Sequence, residues 1–129
     1  MIDAQRVDFI AVPTRDRERA AEFYGETLGL ERNPNSTDRW IEFETGNVTL
    51  ALVVPEEIGV PFAPLPFGSI AIRVPDVDEA RRRLQEAGIE FKGDTFDSGV
   101  CNGAAFTDSD GNGLLIHHRY APYRDGSTP

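Results

Sequence analysis

Hydrophobic and polar positions along this chain alternate with a period of two, then recur near every third or fourth residue, then alternate again; the whole sequence of changes happens twice. Val7 to Val12 reads as a short apolar strand, broken by Pro13 to Arg15. Asp16 then fits an N-cap, and Ala20, Phe23, Tyr24, Thr27 and Leu28 fall on one helical face that Gly29 ends. Arg39 to Glu44 and Val48 to Val54 read as strands around the turn Thr45-Gly46-Asn47. The second pass starts with a strand from Ser69 to Val74. Asp76 with Glu79 three residues on has capping-box spacing, Val77, Ala80, Leu84 and Ala87 give the buried helical face, and Gly88 stops it. Glu90 to Lys92 reads as a brief strand and Gly93 to Val100 as loop. Cys101 to Thr107 and Leu114 to Arg119 read as strands around Asp108-Ser109-Asp110-Gly111-Asn112.

The repeat sets the expected organisation of a single domain over 1–129. Module one covers about 6–54. A linker covers about 55–67, where Pro55, Pro61, Pro64 and Pro66 preclude regular structure. Module two covers about 68–119, followed by a polar, frayed tail at 120–129. One module alone leaves an apolar sheet face too large to stay wet, so two must pair. The expected fold is α+β: two paired βαβββ modules forming a curved mixed sheet, with helices on the convex side and a cleft on the concave side.

Composition narrows the function classes. A chain of 129 residues can bury one substantial core. A formal net charge of −9 argues against nucleic acid, whose phosphates need a basic face. It suits cationic small molecules, or simply solubility. No apolar run is long enough to span a bilayer, and the first residues carry no secretion signal. Cys101 is the only cysteine, so neither a disulfide framework nor a cysteine zinc motif is available. The expectation is a cytoplasmic protein with no membrane or nucleic-acid partner.

Three motifs then carry a resemblance: Phe23-Tyr24 followed by Leu28-Gly29-Leu30, the helix opening Asp76-Val77-Asp78-Glu79-Ala80, and Phe106-Thr107-Asp108-Ser109-Asp110-Gly111-Asn112. Over roughly residues 6–119 the chain resembles the vicinal oxygen chelate superfamily, the glyoxalase, bleomycin-resistance and ring-cleaving dioxygenase group. Ser109 stands where that family usually has proline. The resemblance implies the fold above, and a homodimer. It also implies four metal-ligand positions, which fall here on Phe9, Ala51, Ser69 and Leu115. Divalent metals in such sites need imidazole nitrogens or carboxylate oxygens. Three of these side chains have no donor atom and Ser69 is a poor sole ligand, so no metal and no cofactor is expected.

Strand parity places Phe9, Ala51, Ser69 and Leu115 on the cleft face together with Arg73 and His117, while Ile10, Val12, Leu50, Leu52, Ile70, Ile72, Leu114 and Ile116 pack under the helices. The candidate ligand-binding set is Phe9, Trp40, Glu42, Ala51, Ser69, Arg73, Leu115 and His117. His117 is the candidate acid/base group, or a strand-end histidine in solvent. Arg73 can fork onto a carboxylate or phosphate, or bridge to a surface acid. Trp40 can stack on a flat ligand or serve as core, and Glu42 can attract a cation. Phe62 and Phe67 read as a lid or, more simply, as anchors of the linker. Cys101 reads as a bystander thiol, with no base near it in sequence.

The expected function is metal-free binding of a small molecule, planar or cationic, as in drug or natural-product sequestration. The alternative is a metal-independent isomerase, epimerase or cyclase with His117 as acid/base. Glyoxalase and dioxygenase reactions run through the metal and are disfavoured without its ligands. A third reading is an interaction domain whose cleft is filled by its own side chains.

Overall fold

The computed structural model describes residues 1–129. It divides into two compact units, Met1–Pro64 and Leu65–Pro129. The first holds β1 (Phe9–Pro13), α1 (Arg17–Glu22), β2 (Glu31–Arg32), β3 (Ile41–Glu44) and β4 (Thr49–Val53). The second holds β5 (Ile70–Arg73), α2 (Val77–Glu86), β6 (Lys92–Asp97), β7 (Cys101–Thr107) and β8 (Gly113–Arg119). The sheet orders are β1-β4-β3-β2 and β5-β8-β7-β6, one connectivity used twice. In each, the first strand runs parallel to the last and the remaining pairs are antiparallel. The fold is α+β with two repeated βαβββ modules, as the sequence predicted.

The helices start where the sequence places them. Asp16 and Asp76 each accept a hydrogen bond from the backbone N–H three residues on, at 3.2 and 3.0 Å. The capping box of α2 stays half-made, because the Glu79 carboxylate turns to Arg82 and Arg83 instead of back to Asp76. Module one's helix does not run uniformly to Leu28. After Glu22 it widens into a π-helical turn, Phe23–Thr27, in which the Leu28 N–H bonds to the Phe23 carbonyl. That widening accompanies burial of the consecutive Phe23 and Tyr24 rings and brings Gly25 against the Phe43 ring, 3.2 Å from where a Cβ would stand.

Each core lies between one sheet face and its helix. Val12, Ile41, Phe43, Leu50 and Leu52 are essentially fully buried in the first unit, as are Phe106, Leu114 and Ile116 in the second.

Several local expectations are corrected. The strand near Glu90 begins at Lys92 and runs on through Asp97, so most of Gly93 to Val100 is strand, not loop. A register shift between Lys92 and Phe96 hides its alternation. The linker is not wholly irregular: Pro55–Ile58 forms one 3-10 turn, with proline at its start and Gly59 left-handed at its end. It is also tied down at both ends. Arg17 forks onto Glu57 and the Arg15 guanidinium lies 4.1 Å over the Phe62 ring, while the Leu65 N–H donates to the Asn112 side chain and its carbonyl accepts from the Gly113 N–H. The tail is anchored too, since Arg119 donates to the Ala121 and Pro122 carbonyls and stacks on Tyr123.

Candidate functional site

In the Met1–Pro64 unit the sheet face away from α1 carries Phe9 and Ala11 on β1, Thr49 and Ala51 on β4, and Glu42 and Glu44 on β3. The register aligns Ala11 with Ala51 and Ala51 with Glu42. Of the two methyl groups, Ala11 is exposed and Ala51 is fully covered by its neighbours. Trp40 stands just before β3, and its indole N–H donates to Glu42. The Phe9 ring meets the Trp40 ring edge-on, centroids 5.4 Å apart at 90°. Phe9 is 47% exposed and Trp40 38%. Trp40 is therefore not core; it presents an aromatic surface to solvent.

The carboxylates beside this pair are held. Asn33 Nδ2 donates to both Glu42 and Glu44 at 3.1 Å, and the Thr49 hydroxyl donates to Glu44 at 3.1 Å. Glu42 therefore has each oxygen engaged once, so each keeps further acceptor capacity. Sequence reasoning missed Asn33, Glu44 and Thr49. Glu44 shares the parity of Glu42 and was in reach of the same argument. Asn33 lies beyond β2, and no sequence periodicity brings it there.

In the Leu65–Pro129 unit the face away from α2 carries Ala71 and Arg73 on β5 and Leu115 and His117 on β8. The register pairs Ala71 with Leu115, Arg73 with His117, and His117 with Gly103. The Phe96 ring of β6 lies over Gly103, only 2.6 Å from where a Cβ would be, so glycine alone admits it there. Phe96 and Gly103 were both missed, the first because its strand read as loop. The Arg73 guanidinium makes one long contact, 3.4 Å to the Arg119 carbonyl, and bridges to no acid. His117 is half-buried and its ring bonds to nothing in the chain. An acid/base histidine needs a neighbour that fixes its tautomer, and His117 has none. His118 points the other way, with Nδ1 2.9 Å from the Val74 carbonyl, a structural role.

The four family metal positions do not fit a metal. Phe9 presents a ring, Ala51 is a buried methyl group, and Leu115 packs beside Gly68. Ser69 has the single oxygen, and its hydroxyl donates to the Pro66 carbonyl at 2.7 Å. No group of three or more His, Cys, Asp or Glu side chains is placed to hold a metal ion anywhere in the chain.

Other candidates separate cleanly. Phe62 sits under Arg15 as an anchor, whereas Phe67 is 71% exposed and anchors nothing. Cys101 lies 3.2 Å from the Ser98 hydroxyl, with no base beside it. An open depression of about 560 Å³ lies on the helix side of the first unit, between α1, the π-helical turn and Arg32; none of the predicted site residues lines it.

Comparison with known proteins follows the same lines. The family model described as Glyoxalase/Bleomycin resistance protein/Dioxygenase superfamily matches residues 6–116. No curated protein matches significantly. Among solved structures, the chain is similar to TnmS3, described as an antibiotic binding protein from Streptomyces sp. CB03234: 27% identity, 92% of this chain and 99% of that one, TM-score 0.75. A glyoxalase/bleomycin resistance protein from the same organism matches at 28% identity over 88% of this chain and 100% of that one, TM-score 0.70. A superfamily member from Sphaerobacter thermophilus DSM 20745 matches at 25% identity over 88% and 97%, TM-score 0.74. No helix is long and apolar enough to cross a membrane.

Proposed function

We propose a function from one premise: this chain belongs to the Glyoxalase/Bleomycin resistance protein/Dioxygenase superfamily. Within that family it binds a small molecule without a metal and without transforming it. The ligand is flat and carries a cationic group, and it lies against Phe9 and Trp40 with its charge at Glu42.

One observation carries this reading: an exposed aromatic pair stands beside a carboxylate that Asn33 and the Trp40 indole already orient. Ring faces attract cations, and a fixed carboxylate adds charge without first having to be ordered. Ala11, exposed on the same sheet face as Phe9, adds only a methyl group beside the rings. Absence of a donor set at Phe9, Ala51, Ser69 and Leu115 supports binding over the metal-centred reactions of the family. The likeness to an antibiotic binding protein and to a bleomycin-resistance protein is consistent with a natural-product ligand held out of harm's way.

A thermal-shift screen tests it. Flat aromatic cations are expected to raise the unfolding temperature in proportion to the logarithm of ligand concentration, and neutral analogues of the same shape to raise it less. Silence across a broad panel of planar natural products would overturn the reading.

A further inference from the structure

We propose that the open sheet face of the Leu65–Pro129 unit is a second, oppositely charged subsite, which takes an oxyanion, carboxylate or phosphate, on Arg73 and His117 and stacks the ring bearing it on Phe96. The register sets the three side by side: Arg73 of β5 pairs with His117 of β8, His117 with Gly103 of β7, and Gly103 with Phe96 of β6. Gly103 lets the Phe96 ring lie over the β7 backbone at the position paired with His117, where a side chain at 103 would expel it. Phe96 is 41% exposed, so its outer face is open to a guest.

Charge singles out this face. The chain carries 22 Asp and Glu residues against 13 Lys and Arg. Yet none of the register-paired positions on this face is acidic, from Lys92 on β6 across to Arg73 on β5. The charged or titratable groups sharing it with His117 are Arg73, Lys92, Arg119, Cys101 and the exposed Asp94 at the outer strand, where Thr95 turns instead to Arg81 of α2; Arg119 is already turned to the Ala121 and Pro122 carbonyls. Arg73 makes only its 3.4 Å contact to a carbonyl, and His117 makes none, so both keep donors free. A guanidinium offers a two-pronged fork to an oxyanion, and an imidazole beside it supplies a further N–H. The aromatic ring next to them selects an aryl oxyanion over a bare one.

The chain has two histidines, which makes the test direct. Proton NMR follows their C2–H signals while inorganic phosphate, phenyl phosphate, benzoate or benzyltrimethylammonium is added to the whole chain, and a His117→Asn variant assigns the pair. His118, tied to the Val74 carbonyl, serves as the internal control for folding. Phenyl phosphate and benzoate are expected to move the His117 signal in a saturable way, and the ammonium to leave it still. Arg73→Ala is expected to weaken phenyl phosphate about tenfold or more, with Arg73→Lys recovering part of the loss. Phe96→Ala is expected to weaken phenyl phosphate about three- to tenfold while leaving inorganic phosphate unchanged. A His117 signal that ignores all three anions at millimolar concentration overturns the subsite. So does a shift shared equally by His118, or one that survives Arg73→Ala intact. Equal loss of both phosphates in Phe96→Ala overturns the ring contact. None of these outcomes bears on ligand binding at Trp40, so either site can fail alone.

Discussion

In the proposed site, Glu42 is the residue that makes the aromatic face of the first unit select for charge as well as shape. Its oxygens are held by Asn33 and by the Trp40 indole, so replacing the carboxylate removes the charge from a fixed place. Glu42→Gln keeps the size and one of the two acceptor oxygens, and turns an amide N–H2 toward either Asn33 or the Trp40 indole. It is expected to weaken a flat cationic ligand by about 1–2 kcal/mol, roughly five- to thirtyfold, and to leave a neutral analogue within a factor of two. Isothermal titration of the two ligands into both proteins checks it; equal losses would mean that the carboxylate supports Trp40 without touching the ligand. At this scale parity was legible. Phe9 shares a sheet face with Ala51, and Arg73 shares one with Leu115 and His117, as alternation assigns them. Trp40 was open between stacking surface and core: the strand expected from Arg39 gave it the parity of Glu42, but parity does not tell a solvated face from a packed one, and the strand begins only at Ile41.

Among the elements, the Asp108–Asn112 turn does the most to place the second unit's face. Asn112 is fully buried; its Oδ1 accepts from the Leu65 N–H at 2.7 Å and its Nδ2 donates to Asp108 at 2.7 Å. The Leu65–Gly68 stretch is thereby laid across Gly113, where a Cβ would stand 2.2 Å from the Pro66 carbonyl oxygen. Asn112→Ala strands the Leu65 N–H and one carboxylate bond, and is expected to cost on the order of 2–3 kcal/mol in urea unfolding. A loss below about 0.5 kcal/mol would show that the linker end is held by something else. The sequence showed this turn as a motif but not what it grips, since a bond between Leu65 and Asn112 leaves no local pattern. The extent of β6 was hidden for a similar reason: a bulge breaks the alternation by which a strand is recognised. The π-helical turn at Phe23–Thr27 was likewise invisible, because Phe23, Tyr24 and Leu28 fit an ordinary helical face equally well.

For the whole molecule, the excess of acid groups has a consequence for stability as well as for partners. The Arg17 side chain, by hydrogen bonding, holds the Glu57 carboxyl below its ordinary value of 4.5, and Arg82 and Arg83 do the same for Glu79. The Tyr120 hydroxyl and the Gly99 N–H lower Asp97 from 3.8. A carboxylate lowered by folding stabilises the native state above its unfolded value, and that contribution disappears as pH falls through the folded value. Stability is therefore expected to fall as pH drops below about 5, through the ordinary carboxylate range and on through the lowered values of these groups. The slope should be flatter in a Glu57→Gln, Glu79→Gln double variant; because these groups are exposed the difference is small. Unfolding midpoints across that window would check it, and identical slopes would contradict it.

The repeat of strand, helix and strands was legible in outline, since it rests on periodicities that two modules display independently, but β2 went unread because two residues carry no period. The ligand is not written in any periodicity, and the account of function stands on the face around Trp40. Trp40 is the only tryptophan, so its emission reports on that face alone. The most direct measurement is a titration of its fluorescence with flat aromatic cations after exhaustive chelation of divalent metals. Saturable quenching that chelation leaves unchanged is the expected result. Quenching that vanishes on chelation and returns with a divalent ion would contradict it.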